Sequence, residues 1–314
     1  MGMSALRRRL PWLLLSVVLL LRWHAALADD STAAPYTYRT GSDEVRVTFV
    51  ARDQSARSAA LSPADFAIVD NGSVIRNFCS FQRLSDFALD VVVLIDTSAS
   101  VAPRLRREMS NVLSLLSDAA WGPGDRVSAW SFGGREGALS CVQNCPASSR
   151  AVRLSEIQAG GLTPLFDSMM VALGQLKERS TPKSMPVLVV VSDGSDTFSL
   201  RSEADVEEAA QRAQAAIYTI DMNDRKHGSS GTFTLLRLAA ATGGRSFSID
   251  QGAMPALAGL LEDMQTTYLA TYKPSSRNPG AHSIRVLPTH NLNLRFQSRQ
   301  SYYYDAGQEA RGLQ

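Results

Sequence analysis

Hydrophobic and polar positions divide the chain into three zones. Between residues 44 and 83, apolar residues recur at every second position in short runs such as VRVTFVARD at residues 45–53. This spacing predicts half-buried β-strands. Asn71-Gly72 lies between two further apolar runs and predicts a two-residue hairpin turn.

From residue 87 to residue 266, apolar strands alternate with amphipathic helices. The predicted strands are VVVLID, RVSAWSFGG, PVLVVVSDG, IYTIDM and RSFSI. The predicted helices are VAPRLRREMSNVLSLLSDAA, TPLFDSMMVALGQLKER, EADVEEAAQRAQAA, TFTLLRLAAATGG and MPALAGLLEDMQ. The segment that contains AVRLSEI is predicted to be rich in loops. Nearly continuous apolar strands separated by helices predict an α/β fold, with a doubly wound, mostly parallel sheet covered on both faces.

The strand-and-turn pattern returns between residues 267 and 305, in YLATYK, HSIRVLP and NLNLRFQSRQSYYY. Neither flank alone has enough strands to be stable, but together they supply about six, which suffices for a small sandwich. We therefore predict that the α/β domain, residues 87–266, is inserted into a β-sandwich-like domain formed by residues 29–86 and 267–305. Residues 306–314 are predicted to be a disordered tail.

The first 28 residues have the features of a cleaved signal peptide. Arg7 to Arg9 form a basic region, Leu10 to Leu21 is apolar, and Ala26-Leu27-Ala28 offers small residues for cleavage after Ala28. Arg22 and His24 interrupt the apolar run short of the ~20 residues that a membrane helix needs. We predict a secreted or periplasmic protein without a stable membrane span in the mature chain.

The net charge of the mature chain argues against binding to nucleic acid. The predicted signal peptide carries four arginines and no acid, so its removal changes the formal net charge from +2 to −2. No basic stripe remains to neutralise a phosphate backbone.

The three cysteines suggest one local disulfide. Cys141 and Cys145 lie in the polar segment CVQNC and could close a small loop in an oxidising compartment. Cys79 is predicted to be a buried free thiol. A zinc site is disfavoured, because the cysteines supply too few ligands and the histidines are distant in sequence.

Acids and hydroxyls cluster where the predicted parallel strands end. Asp96 ends VVVLID and is followed by Ser98 and Ser100, Asp193 follows PVLVVVS, and Thr163 precedes a helix in GGLTPLFD. Loops at the carboxyl ends of parallel strands form the binding crevice of such sheets, so we expect these five residues to converge. An all-oxygen set with two carboxylates suits Mg²⁺ or Ca²⁺ and argues against zinc or copper.

Other roles for these residues are possible. Ser98, Ser100 and Thr163 could each cap a helix, as serine and threonine often do. Asp196, in SDGSD, could join the cluster, although a solvated loop acid or a helix cap is the more common role for such a residue.

DTSAS resembles the Asp-x-Ser-x-Ser motif that opens the metal ion-dependent adhesion site (MIDAS) of the von Willebrand factor type A (VWA) domain. Thr163 and Asp193 match the threonine and the second aspartate of that site. The resemblance implies that Ser98 and Ser100 bind the ion directly, and that Thr163, Asp96 and Asp193 bind it directly or through water. It also implies Mg²⁺, Ca²⁺ or Mn²⁺ as the ion and a Rossmann-like fold for residues 87–266.

The flanking segments resemble the exported VWFA-related proteins common in acidobacteria. The similarity includes the leader, LSPADFAIVDNGSVIRNFCSF, ATYKPSS and RFQSRQSYYY. The closing Gly-Tyr of that family is replaced here by Ser301-Tyr302, which leaves the metal motif unchanged.

The resemblance implies a metal-dependent adhesion or assembly module, not an enzyme, whose ion takes an Asp or Glu carboxylate from a partner protein. One alternative is a structural envelope component in which the metal only stabilises the fold. A metal-dependent phosphotransferase is less favoured, because such enzymes usually place a second acid where this chain has Ser98. Gly-x-Ser-x-Gly and the glycine-rich nucleotide-binding motifs are missing from the sequence.

Overall fold

The fold is known from a computed structural model, which describes residues 44–114, 121–134, 138–145, 159–181, 183–223, 229–249 and 253–304. The predicted signal peptide and the predicted tail lie outside the described residues, as do residues 29–43 of the predicted β-domain. Within the described ranges, no helix is both long enough and apolar enough to cross a membrane.

The first four strands form the N-terminal flank. They are β1 (Val45–Arg52), β2 (Phe66–Asp70), β3 (Ser73–Ile75) and β4 (Ser80–Arg83). Asn71 and Gly72 connect β2 to β3 with φ angles of 46° and 85°. Positive φ at both central residues matches the right-handed twist of a hairpin and is tolerated best by Asn and Gly. The predicted hairpin is confirmed.

The middle of the chain alternates between strands and helices. The strands are β5 (Ala88–Asp96), β6 (Arg126–Gly133), β7 (Ala138–Gln143), β8 (Ser184–Ser192), β9 (Ala216–Asp221) and β10 (Ser246–Ser248). The helices are α1 (Ala102–Ser114), α2 (Leu165–Arg179), α3 (Glu203–Ala213), α4 (Ser230–Thr242) and α5 (Ala253–Thr266).

These six strands form one sheet in the order β10-β9-β8-β5-β6-β7. All neighbours are parallel except β6 and β7, which are antiparallel. The fold class predicted from the sequence is confirmed. The prediction missed β7, because an edge strand pairs on one side only and its sequence, ALSCVQ, carries a weak apolar signal.

The sheet has a separate apolar core on each face. Val91, Val93 and Ile95 of β5 pack in one core with residues of α1 and α5. Val92 and Leu94 point to the opposite face and pack against α2, α3 and α4. Since β5 is covered on both faces from Val91 to Ile95, all five residues of this stretch are apolar.

The last four strands complete a second structure with the first four. They are β11 (Tyr268–Tyr272), β12 (Gly280–Pro288), β13 (Arg295–Ser298) and β14 (Ser301–Tyr304). They pair with the N-terminal flank in two four-stranded sheets, β13-β1-β11-β4 and β14-β12-β2-β3. The β-sandwich-like arrangement is thus confirmed, with eight strands among the described residues instead of the predicted six. The prediction overlooked β4 and treated β13 and β14 as one strand.

An aromatic core lies between these two sheets. Val47, Phe49 and Tyr272 come from one sheet, and Phe66 and Ile68 come from the other. The ring centroids of Phe49 and Phe66 are 4.9 Å apart. Such aromatic pairs add stability beyond the area that they bury.

The cysteines lie in two different environments. Cys141, in β7, and Cys145 are joined by a disulfide. Cys79 is a free thiol but is exposed, so the prediction that it is buried was wrong. The reason is local, because Cys79 lies between β3 and β4 and is not part of a strand.

The boundaries predicted for the two domains stay predictions, which a fragment can test. We expect residues 29–86 alone to be unfolded or aggregated, because both neighbours of β1, β11 and β13, follow the α/β segment in sequence. Two-dimensional NMR of the isolated fragment measures this. A well-dispersed spectrum would contradict the split β-domain.

Candidate metal centre

The candidate site lies where the strand order of the central sheet changes direction. The chain continues from β5 to β6 on one side and later returns to place β8 on the other side of β5. Asp96 is the last residue of β5, and Asp193 directly follows the last residue of β8. A crevice beyond the carboxyl ends of strands at such a position is the usual binding site of doubly wound sheets.

The carboxylate of Asp96 is buried and is held by two hydrogen bonds. The residue is 1% exposed. Oδ1 accepts the backbone N–H of Ser98 at 2.8 Å, and Oδ2 accepts the hydroxyl of Ser192 at 2.6 Å. The Ser192 oxygen in turn accepts the backbone N–H of Gly194 at 3.0 Å. These bonds connect the loop after β5 to the loop after β8.

Burial raises the pKa of Asp96 from its ordinary value of 3.8 to about 6. Hydrogen bonds from Ser192 and Ser98 oppose this rise in pKa, and the negative charge of Asp193 adds to it. The charge effect indicates that the two carboxylates share one electrostatic environment, where a cation would stabilise both of them.

The loop after β5 is fixed against the end of β6. Thr97 donates both its backbone N–H and its hydroxyl to the carbonyl oxygen of Phe132, at 2.8 and 2.9 Å. Gly133 follows with φ 121°, and a Cβ at that position would lie 2.9 Å from the backbone nitrogen of Ser98. Only glycine fits there without displacing the DTSAS loop.

The two serines of the motif lie side by side. The hydroxyl oxygens of Ser98 and Ser100 are 3.2 Å apart. Ser98 is buried, whereas Ser100 is exposed. The pair therefore extends from the buried carboxylate of Asp96 toward solvent.

Thr163 belongs to a third loop that is bonded to the other two. Gly160 of this loop donates its N–H to the carbonyl of Thr97 at 2.8 Å. The backbone N–H of Thr163 donates to the hydroxyl of Thr197 at 3.0 Å, and its carbonyl accepts the N–H of Thr197, also at 3.0 Å. Thr163 is 3% exposed, and its side-chain hydroxyl makes no hydrogen bond to any residue that the structure describes.

Asp193 is also buried, and its backbone is braced from β9. Oδ1 of Asp193 accepts the N–H of Ser195 at 2.9 Å. The side-chain amide of Asn223 donates to the Asp193 carbonyl and to Oδ1 of Asp221, at 2.7 Å in both cases. Asn223 thus fixes the main chain of the Asp193 loop. The other carboxylate oxygen of Asp193, Oδ2, is left for other contacts.

The structure distinguishes some of the roles left open by the sequence. Pro164, not Thr163, is the N-cap of α2, and no side chain caps that helix in the usual way. Asp196 accepts the N–H of Phe166 in the first turn of α2, at 3.3 Å, so it serves as a cap from a neighbouring loop. Sequence reasoning missed Ser192 and Asn223, whose contributions depend on which loops are adjacent.

The donor set fits a hard divalent cation. The three loops offer two buried carboxylates, three hydroxyls and no sulfur or imidazole, a combination that suits Mg²⁺, Ca²⁺ or Mn²⁺. No group of three or more His, Cys, Asp or Glu side chains forms a metal-binding cluster among the described residues. The hydroxyl of Thr163 and the two neighbouring carboxylates are the groups that would bind such a cation.

Comparisons with known proteins gave matches only among solved structures. No protein-family model and no curated protein matches the chain. A structure of proximal thread matrix protein 1 from the mussel byssus, with a zinc-occupied MIDAS motif, aligns with 14% identity and a TM-score of 0.44. This alignment covers 62% of the present chain and only half of the mussel protein. BatB from Bacteroides thetaiotaomicron aligns with 14% identity and a TM-score of 0.41, covering 57% of this chain and 98% of BatB.

The raised pKa of Asp96 predicts a pH dependence in metal-free protein. Because the folded-state pKa exceeds the unfolded value, Asp96 stabilises the fold most below pH 4, and this contribution is lost as the pH rises through about 6. Between pH 5 and pH 7 the difference in unfolding free energy between wild type and Asp96→Asn should change by about 1 kcal/mol. Urea denaturation in EDTA measures it. A constant difference across this range would contradict the assigned environment.

Proposed function

We propose that this chain is an exported protein-binding module. It would hold a divalent cation with five residues and, through that cation, capture an Asp or Glu side chain of a partner protein. The five residues are Asp96, Ser98, Ser100, Thr163 and Asp193. The observation that carries the proposal is the joining of three loops around the buried carboxylate of Asp96, through Ser192 on one side and Thr97 on the other.

The charge balance favours an anionic partner. Asp96 and Asp193 supply at most two negative charges, and the hydroxyls of Ser98, Ser100 and Thr163 contribute dipoles only. When bound, the cation would supply a hard Lewis acid whose remaining position prefers an anionic oxygen. The exposure of Ser100 supports access from solvent at this side of the site.

Apolar side chains around the site support a protein as the partner. Leu162, next to Thr163, is 36% exposed, and Phe198 and Leu200, on the loop after Asp193, are 54% and 95% exposed. Exposed apolar residues beside a polar centre are typical of interaction surfaces. A partner could therefore contact these side chains while its carboxylate reaches the ion.

Export and the lack of enzymatic activity belong to the same proposal. The basic and apolar segments of residues 1–28 support secretion or transport to a periplasm. Ser98 occupies the position where a phosphotransferase of this type needs a general acid, which argues against that chemistry. The alternative, a structural component whose metal only stabilises the fold, predicts metal binding without any carboxylate-dependent partner.

Partner capture should depend on the ion and on the five residues. We expect proteins captured from the native envelope or medium to be released by EDTA and recovered with Mg²⁺ or Mn²⁺. Asp96→Ala and Thr163→Ala should abolish capture, because each removes an oxygen ligand. Replacing the one essential acid of the partner by its amide should weaken the complex by about 2–5 kcal/mol, measured by surface plasmon resonance.

Two further variants separate the proposal from its alternative. Asp65→Ala removes a half-buried carboxylate of the β-sandwich and should leave capture unchanged. Leu200→Ser should weaken capture without changing the stabilisation of the protein by Mg²⁺. Binding that persists in EDTA would move the interface away from the metal and leave the ion a structural role.

A further inference from the structure

A polar cavity of about 330 Å³ lies at the other end of the α/β layer from the candidate metal centre. Helix α2 begins beside Thr163, runs for 15 residues, or about 22 Å, and reaches the cavity with its last turn. The end of α3, the start of β1 and strand β14 form the other walls. The two sites are therefore separated by the length of a helix.

Arg299 is buried in the wall of this cavity, and it has no counterion among the residues that the structure describes. The residue is 3% exposed, and its Nε has no hydrogen-bond partner in the described part of the chain. Among the described residues, none forms an ion pair or a hydrogen bond with its guanidinium. Burial, together with the nearby charge of Arg46, lowers the pKa of Arg299 to about 10. Arg299 thus stays charged at neutral pH in a place where an unpaired charge is costly.

The surroundings of Arg299 are also basic. Arg46, Lys177 and Arg212 line the same cavity, and Glu44 is the one acid among the described lining residues. Arg212 pairs with Glu208 at 2.7 Å, and its guanidinium lies 4.5 Å from the ring centroid of Tyr303. The cavity therefore combines several cationic groups with tyrosine side chains that can donate hydrogen bonds or stack.

The backbone around Arg299 is fixed by two neighbouring elements. Gly243 ends α4 with φ 84°, and a Cβ there would lie 2.6 Å from the backbone nitrogen of Arg299. On the other side, Ile284 of β12 donates its N–H to the carbonyl of Gln300 at 2.8 Å. The main chain of Arg299 is thus fixed in the absence of a ligand, which lowers the entropic cost of binding a ligand.

We propose that this cavity binds a small molecule that carries a phosphate group, with Arg299 as the main contact of the phosphate oxygens. A phosphate monoester brings a charge of about −1.5 to −2, which matches several cations better than a single carboxylate does. The volume leaves room for more than the phosphate itself, and the tyrosines of β14 offer a surface for the remainder of the ligand. This site is independent of the proposed metal centre.

Isothermal titration calorimetry with inorganic phosphate and with phenyl phosphate, at constant ionic strength, tests the proposal. We expect saturable binding with a stoichiometry of one, at least about tenfold weaker in Arg299→Met, since a charge-assisted contact is lost. Arg76→Met, which removes an exposed arginine outside the cavity, should bind as the wild type does. Asp96→Ala should also bind normally, because it alters only the metal centre.

Thermal unfolding without phosphate separates a ligand contact from a structural role. Arg299→Met should melt at the same temperature as the wild type or higher, because it removes an uncompensated buried charge. Lys177→Met, at an exposed position, should also weaken phosphate binding. This variant provides the test if Arg299→Met does not fold. No saturable binding of either compound to the wild type would overturn the proposal, and so would binding as tight as that of the wild type in both Arg299→Met and Lys177→Met.

Discussion

A carboxylate buried at the end of a parallel strand must be neutralised by a proton, by hydrogen bonds or by a cation. Asp96 has two hydrogen bonds, from the Ser98 amide and the Ser192 hydroxyl, and its pKa is still raised by burial and by Asp193. The incomplete compensation is what makes this position suited to a metal ion. The same two bonds also join the loops after β5 and β8, so the arrangement of the loops and the chemistry of the site depend on one side chain.

The β-sandwich provides a frame for the inserted α/β layer. Strands β4 and β11, which lead into and out of that layer, pair with each other, with Arg83 opposite Tyr268. The chain therefore leaves and re-enters the sandwich at adjacent positions, as an insertion requires. Asp263 of α5, fully buried, pairs with Arg52 of β1 and with Arg245, and so connects the two parts across their boundary.

The sequence predicts those features that depend on local patterns. The apolar runs of β5 and β8 predict a buried parallel sheet. Asn71-Gly72 predicts its hairpin, because Asn and Gly tolerate the positive φ angles that the turn requires. The DTSAS loop is predictable for the same reason, since its ligands lie close together in sequence. Strand β7 and the exposure of Cys79 were not predictable, because each depends on pairing or packing beyond the segment itself.

Long-range contacts determine what the sequence leaves open. Nothing in the sequence distinguishes Ser192 from the other serines. Its role follows from the pairing of β8 with β5, which directs its hydroxyl to Asp96. Arg299 likewise gives no signal in the sequence. Its burial, and the lack of a counterion among the described residues, arise only when the ends of α2 and α3 meet β14. Residues of this kind are found by checking which hydrogen bonds and ion pairs each buried polar group makes, and which it lacks.

The position of a bound ion is the most direct test of the central claim, that three loops form one cation site. Crystals grown with Mn²⁺ and measured for anomalous scattering would locate the ion. We expect a single strong peak within coordination distance of the Ser98, Ser100 and Thr163 hydroxyls, next to Asp96 and Asp193. No peak there, or a peak bound by other residues, would contradict the account.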